Sequence, residues 1–281
     1  MESKITESDR FWSLLTANGG ANVLVVVNHS GGKDSQAMLI RLLEAGVPKR
    51  QILVAHASLG DVEWPGALEH AQNQAVAAGV AFVVARARRG FFEMVEDRFV
   101  ARPEVPSFPS SEHRQCTSDL KRGPIEREVR RYAKEHGFTT IVNAMGIRAQ
   151  ESPSRKKQPT WSVNKAQSVA GRRWFNWLPI HHLTTAEVFA GIAAAGQKPH
   201  PAYAAGNERL SCVFCILGSA NDARNGAIRN PELYDRYVAL EARTGYSMHQ
   251  SRRTLPVLTG LTVEQAWAEN ENVSSEIESR R

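Results

Sequence analysis

The sequence predicts an α/β fold: a doubly wound parallel sheet followed by a smaller helical C-terminal subdomain. Three observations carry this. The run Val23-Leu24-Val25-Val26-Val27 is continuous, apolar and β-branched, the pattern of a strand buried on both faces. Runs of that kind alternate with helical segments down the first part of the chain, as in βαβ units. Past residue 200 the pattern changes to a turn-rich stretch and then to helices. At 281 residues, with 42% hydrophobic and 23% charged residues, the composition is that of a globular protein able to bury a core. That length leaves room for two domains at ~150 residues each.

The elements follow in order. Residues 8–17 form a helix, with Phe11, Trp12, Leu14 and Leu15 at helical spacing and a stop at Asn18-Gly19-Gly20. Residues 23–27 are the first strand. A glycine loop leads into a helix over 36–45, ended by Gly46 and Pro48. A strand over 52–57, a helix over 66–78 closed by Gly79, and a strand over 80–85 come next. Residues 102–111 hold Pro103, Pro106 and Pro109 and read as a loop. A helix over 125–136 and a fourth strand over 139–144 follow. The polar stretch 150–173, with Arg155-Lys156-Lys157, reads as a mobile surface loop. Residues 184–195 form a helix capped by Thr184 or Thr185, with Glu187 placed for a capping box. Residues 199–218 are turn-rich, helices cover 220–244, and the acidic tail after Thr262 is expected to fray. The organisation is an N-terminal helix over 1–21, a nucleotide-binding domain over 22–200 and a C-terminal subdomain over 201–281.

No apolar run near the front approaches the roughly 20 residues of a membrane helix, and Met1-Glu2-Ser3-Lys4-Ile5-Thr6-Glu7 lacks the apolar core of a signal peptide. The expectation is a cytoplasmic protein without a membrane partner, and membrane, secreted, collagen-like and wholly disordered classes are set aside. Lys and Arg number 35 against 29 Asp and Glu, a formal charge of +6. That balance suits a polyanion, but equally a protein that binds small phosphates. Lys121, Arg122, Arg127, Arg130 and Arg131 offer a basic stripe. Arg155-Lys156-Lys157 and Arg172-Arg173 flank an irregular stretch where Trp161 and Trp174 would stack on bases. Solvated charge is the competing explanation. His181 and His182 read as packing or capping residues.

The most informative stretch is Ser30-Gly31-Gly32-Lys33-Asp34-Ser35, which leaves a hydrophobic strand and opens a helix. Two glycines let the backbone turn tightly and bring N–H groups against an anion, and the helix N-terminus favours phosphate. Lys33 and the two serine hydroxyls add donors. A glycine turn capped by Asp34 is the plain alternative. The Walker pattern G-x-x-x-x-G-K-[ST] is absent.

Residues 30–35 resemble the PP-loop of the N-type ATP pyrophosphatases, of adenine nucleotide α-hydrolase-like fold. Further segments resemble the phosphoadenosine phosphosulfate (PAPS) reductase family. They are Cys116-Thr117-Ser118-Asp119-Leu120-Lys121, Gly146-Ile147-Arg148-Ala149-Gln150-Glu151-Ser152, and Pro179-Ile180 with Glu187-Val188-Phe189. His200-Pro201, Tyr203, Gly206, Arg209, Cys212 and Cys215 complete the match. The resemblance implies that Ser30, Gly31, Gly32, Lys33, Asp34, Ser35, Gly146 and Arg148 bind the nucleotide. It places Asp34 near Mg²⁺ or the α-phosphate and Arg148 on the nucleotide or the transferring group, with Lys33, Asp34 and Arg148 as the catalytic set. Arg148 also follows the fourth strand, the edge where open α/β sheets bind ligands.

The three cysteines, Cys116, Cys212 and Cys215, do not look like a secreted disulfide framework. They hold a [4Fe–4S] cluster, or zinc with His113 or His200 added, or no metal. Reductases that carry a cluster resemble this layout but have an adjacent Cys-Cys pair where this chain has Gln115-Cys116. A cluster on three cysteines leaves one iron open to sulfide or substrate, as in PP-loop thiolation enzymes. Sulfonucleotide reductases use a further C-terminal cysteine, and this sequence has none after Cys215. The expected function is adenylation of an acceptor by ATP with pyrophosphate release, serving sulfur transfer to DNA or RNA with a sulfur-donor protein such as a cysteine desulfurase. Reduction of PAPS or APS (adenosine phosphosulfate) to sulfite, and a non-catalytic nucleotide- or nucleic-acid-binding module, are the alternatives.

Overall fold

A computed structural model describes residues 7–16 and 22–279. The expected helix stop at Asn18-Gly19-Gly20 lies outside the described residues. In chain order the elements are α1 (Glu7–Thr16), β1 (Val23–Asn28), α2 (Lys33–Glu44), β2 (Ile52–Ser58), α3 (Ala67–Ala78), β3 (Ala81–Arg86), α4 (Phe91–Ala101), α5 (Gln115–Thr117) and α6 (Gly123–Glu135). They continue with β4 (Thr140–Ala144), α7 (Pro153–Lys156), β5 (Trp161–Val163), β6 (Arg173–Trp177), α8 (Thr185–Ala194), α9 (Ala220–Arg229), α10 (Pro231–Thr244), α11 (Leu255–Thr259) and α12 (Val263–Ser279).

Two compact units result. The first gathers the described residues up to Ala57 with Leu68–Ala85 and Ile125–Pro199. The second gathers Ser58–Ala67, Arg86–Pro124 and the described residues from His200 onward. The break at Pro199 and His200 lies beside the boundary expected from the sequence. Recruitment of two earlier stretches into the second unit is a non-local event that a linear reading does not contain.

The first unit is built on a six-stranded sheet of order β3-β2-β1-β4-β6-β5. β1 runs parallel to β2 and β4, with Val25 opposite both Ile52 and Val142, and β4 runs parallel to β6. Strand β5 is antiparallel to β6 at the edge. Alternate residues of β1 face opposite layers, as the pleat requires. Val23, Val25 and Val27 join Met38 and Leu42 of α2 and Val188 and Ile192 of α8. Leu24 and Val26 join Val129 and Ala133 of α6. Burial on both faces explains the unbroken apolar run, each fully buried side chain contributing ~1.5–3 kcal/mol. Helix α8 is capped as expected: Glu187 N donates to Thr184 Oγ1 (3.2 Å) and Thr184 N to Glu187 Oε2 (2.7 Å).

Three expectations are corrected. The stretch 150–173 is not a continuous surface loop: β5 lies within it and Arg173 begins β6, a strand of the central sheet. Aromatic packing outweighs the polar composition there. Trp174 is fully buried, so it is not available to stack on bases, and Trp161 packs on Phe175 and Trp177 with ring centroids 5.2 and 6.2 Å apart. The segment after Thr262 forms α12, tied down by buried Ala266, an Arg224–Glu269 ion pair (3.1 Å) and an Asn270 bond to Ile228 O (2.8 Å).

The second unit has its own core, in which Trp64, Phe91, Val95, Leu120, Phe214 and Tyr237 meet. Glu241 is buried there and accepts from Met248 N and Leu255 N, both at 2.7 Å, which fixes the loop between α10 and α11. Among the described residues no helix is long and apolar enough to cross a membrane.

Candidate functional site

In the first unit the chain steps from β1 to β2 on one side and later to β4 on the other. The loops after β1 and β4 therefore leave the sheet at its topological switch point, where open α/β sheets bind ligands. An amide ladder crosses this edge. Asn28 donates to Asn143 Oδ1 (2.7 Å) and Ala144 O (2.8 Å), and Asn143 donates to Asn176 Oδ1 (3.3 Å).

Residues 30–35 turn here from strand to helix. Gly31 has φ +78°, a left-handed conformation that favours glycine. Gly32 is the N-cap of α2 without a side-chain cap bond, so Asp34 does not cap the turn. Gly146 is required by close approach: a Cβ there would lie 3.2 Å from the backbone carbon of Asp34 and 3.3 Å from Ser35 N. The β4 loop thereby lies directly against the N-terminus of α2, whose first-turn N–H groups have no intrahelical acceptor.

Asp34 is the centre of the charge arrangement. Its Oδ1 accepts from Arg148 Nε at 2.6 Å and its Oδ2 pairs with Lys33 Nζ at 3.2 Å. Lys33 and Arg148 are each 3% exposed, Asp34 21%. Arg148 is engaged on every side: Nη1 donates to Gln150 Oε1 (3.1 Å) and Leu183 O (3.3 Å), and Nη2 to Thr185 Oγ1 (3.1 Å). In this geometry Arg148 holds Asp34. A partly exposed carboxylate beside a phosphate cradle suits Mg²⁺, which takes one or two carboxylates and completes its shell with water and phosphate oxygens.

Beneath the loop lies a group the sequence reading missed. His29 is buried, its Nδ1 accepts from Gly31 N (3.1 Å) and faces Ser35 Oγ (3.3 Å), and its Nε2 meets Gln74 Oε1 (2.8 Å). Ser35 Oγ in turn donates to Gly32 O (2.8 Å). Burial lowers the His29 pKa to about 3, so the ring is a neutral acceptor that braces the loop from inside. The available signal was the polar pair His70 and Gln74 one turn apart on α3 (2.6 Å), which continues this network.

The second unit holds all three cysteines, on segments that are far apart in the chain. Cys212 bridges to Glu63, and Val213 N donates to Val62 O (2.9 Å). Gly218 N closes the turn on Cys215 O (2.8 Å), and His249 bonds Gly218 O (3.0 Å). Cys116 arrives on α5, just before a π-helical turn over Ser118–Arg122, a feature frequent at functional sites. All three thiols are half-buried. Burial raises the Cys212 pKa to about 11, with Lys121 opposing and the other two cysteines adding to the rise, and burial likewise raises Cys116. Lys121 is not part of a solvated basic stripe. It lies among the thiols, and Cys212 first of all holds its pKa up. Of the other stripe residues, Arg127 and Arg131 share Glu128, and Arg130 donates to Gln167 (2.9 Å).

Thiolates are the ligands of a soft, iron-type group, and burial keeps Cys116 and Cys212 in the protonated form that such a group would have to displace. Among the described residues no three His, Cys, Asp or Glu side chains are grouped as they would be around a single metal ion. His200 is not a free zinc ligand: its Nδ1 accepts from Ala202 N (3.1 Å) and its Nε2 donates to Pro65 O (3.1 Å). His113 is exposed. A small recess, with a volume of about 10 Å³, adjoins the site, lined by Trp64, Asn207, Arg209, Ser211, Cys212 and Cys215 among others.

Comparison with known proteins gives a family. The chain is 26% identical over 285 residues to an uncharacterized 37.8 kDa protein of Escherichia phage 186, covering 85% of this chain and 84% of that one. Among solved structures it is similar to PAPS reductase from Candida auris in its phosphate complex. That match has a TM-score of 0.45 and 14% identity, and covers 72% of this chain and 85% of that one. It is also similar to the U34-tRNA thiolase of Methanococcus maripaludis with its [4Fe-4S] cluster. Here the TM-score is 0.41 and the identity 13%, over 79% of this chain and 69% of that one. Residues 24–217 match the phosphoadenosine phosphosulfate reductase domain, most of the chain, and the protein belongs to that family.

Proposed function

We propose that the protein binds ATP with Mg²⁺ at residues 30–35 and activates an acceptor oxygen by adenylation, releasing pyrophosphate, as the first half of a sulfur transfer to DNA or RNA. The observation that carries this reading is the complete phosphate loop at the sheet's switch point, with Asp34 clamped between Lys33 and Arg148. The first-turn N–H groups of α2 would cradle the phosphates. Asp34 would hold Mg²⁺, fixed in direction by Arg148. Lys33 is the cation beside it, placed to take up charge as pyrophosphate departs. The acceptor oxygen attacks the α-phosphorus, the bond to the β-phosphate oxygen breaks, and the oxygen becomes part of a good leaving group. Sulfur at the sulfide level then displaces AMP, so oxygen is exchanged for sulfur without net oxidation. Cys116, Cys212 and Cys215 would hold a [4Fe–4S] cluster, which supplies a binding point for sulfide when present. A cysteine desulfurase is the class of protein that would supply the sulfur, as a persulfide that a thiol reductant reduces by two electrons to sulfide before it attacks.

The test is pyrophosphate release from ATP, compared between the wild type and Asp34→Ala. Loss of release with an unchanged circular dichroism spectrum is expected, and unchanged release overturns the reading. Family membership favours a second reading, reduction of a sulfonucleotide. Sulfite release from PAPS or APS in the presence of a thiol reductant would replace the first reading with this one.

A further inference from the structure

Gly31 turns the phosphate loop with φ +78°, and its backbone N–H points inward, to His29 Nδ1 at 3.1 Å. A peptide N–H can only donate, so Nδ1 is bare and the neutral ring carries its proton on Nε2. Nε2 therefore donates to Gln74 Oε1 at 2.8 Å. This orients the Gln74 amide as well, so that its Nε2 donates to His70 Nε2 at 2.6 Å. One chain of proton positions thus runs from the loop through His29 to α3. Ser35 Oγ also lies 3.3 Å from Nδ1, but it donates to Gly32 O at 2.8 Å. His29 is 2% exposed, so bulk water cannot replace a lost partner. Without the Gln74 oxygen the ring strands a buried donor in either tautomer: its own Nε2–H in one, the Gly31 N–H in the other.

The consequence falls on the residues placed to meet phosphate. Gly32, next after Gly31, is the N-cap of α2. A Gly31 N–H that loses its acceptor loosens the pivot from which that helix starts. Donors that must be ordered on binding hold an anion less tightly than donors already in place. We infer that Gln74 is a positioning residue of the nucleotide site. By keeping the His29 proton on Nε2 it leaves Nδ1 open to Gly31, and so holds residues 30–35 in the shape that receives phosphate. This rests on the reading that the loop binds ATP, and Gln74 acts on that site through His29.

The test uses the full chain with Mg²⁺ and ATP, as wild type, Gln74→Leu, His29→Asn and the double variant. Calorimetry gives the ATP affinity, and nitrogen NMR of the imidazole gives the tautomer. In the wild type the His29 proton is expected on Nε2 alone. Gln74→Leu should show both tautomers and bind ATP about tenfold more weakly, as expected for one buried donor without an acceptor. His29→Asn offers an amide oxygen to the Gly31 N–H and has no tautomer to fix. Adding Gln74→Leu to it should therefore weaken binding no further, whereas a merely structural Gln74 would cost the same in both backgrounds. A wild-type His29 protonated on Nδ1, an unchanged affinity in Gln74→Leu, or an equal loss in both backgrounds overturns this inference alone. A wild type that binds no ATP overturns it together with the reading beneath it.

Discussion

The two units assemble their candidate sites differently. In the first, six consecutive residues, Ser30 to Ser35, make the loop, and one further segment, Gly146 to Arg148, closes on it. The second draws on four separated pieces: Glu63 beside Cys212, Cys116 with Lys121, the C-x-x-C turn, and Tyr237 of α10. The charge logic differs too. The first site sets one carboxylate between two buried cations, a surplus of one positive charge that suits an anionic ligand. The second holds three cysteines with the Lys121 ammonium, and burial keeps Cys116 and Cys212 protonated.

If the two sites rest on separate cores, each can be broken without the other. The largest effect is expected from Cys116→Ala. Iron and sulfide should fall to background in protein prepared without oxygen, while ATP binding measured by calorimetry stays at the wild-type level. Iron retained at full occupancy would remove Cys116 from the ligand set.

Next in size is the buried histidine. The folded pKa of His29 lies below its unfolded value, so the unfolded chain binds the extra proton and stability falls as pH drops from 6.5 toward about 3. Its full contribution is on the order of 5 kcal/mol and is present above pH 6.5. Urea unfolding of the wild type should weaken steadily from pH 6.5 to 4, and His29→Gln should flatten that slope. Equal slopes would show that His29 is not the group responsible.

Arg148→Met comes third. Removing one partner of a buried pair leaves the other uncompensated, at a cost of about 3 kcal/mol. Because Lys33 still faces Asp34, part of the pair survives. Urea unfolding should show the loss, nucleotide affinity should fall with it, and iron content should not change. Adding Asp34→Asn should lower stability further, since buried Lys33 then loses its carboxylate as well.

The smallest effects, and the sharpest comparison, come from two glycines. Gly146→Ala forces a Cβ against the backbone of Asp34 and Ser35, and Gly226→Ala forces one to within 2.9 Å of Val213 Cγ1 beside the C-x-x-C turn. Each overpacking costs about 1–3 kcal/mol. The first should weaken ATP binding and spare iron, and the second should do the reverse. Both variants failing in both assays would show the two sites to be one cooperative structure.

Strand β1 was legible because burial on both faces leaves an unbroken apolar run, and the loop over residues 30–35 because its residues are adjacent in the chain. The cap of α8 was legible for the same local reason, Thr184 and Glu187 lying three residues apart. Strand β6 was not. Its sequence, Arg-Trp-Phe-Asn-Trp, shows no clean period, and its place follows from pairing with β4 and from the burial of Trp174. Helix α12 carries an acidic, weakly patterned sequence and is held by contacts to α9 that a linear reading does not contain. Lys121 looked like one more surface cation because Arg122, Arg127, Arg130 and Arg131 follow it within ten positions.

By itself the sequence determined the fold class and the family, since adjacency and period are enough for those. Only the tertiary structure decided that Arg148 clamps Asp34, that His29 braces the loop as a neutral acceptor, that Cys212 holds the Lys121 pKa up, and that Tyr237 packs on Phe214. The physical reason is the same in each case. A side chain's charge state and partners are set by what desolvates it and what stands opposite, and those neighbours come from segments tens to more than a hundred residues away in the chain.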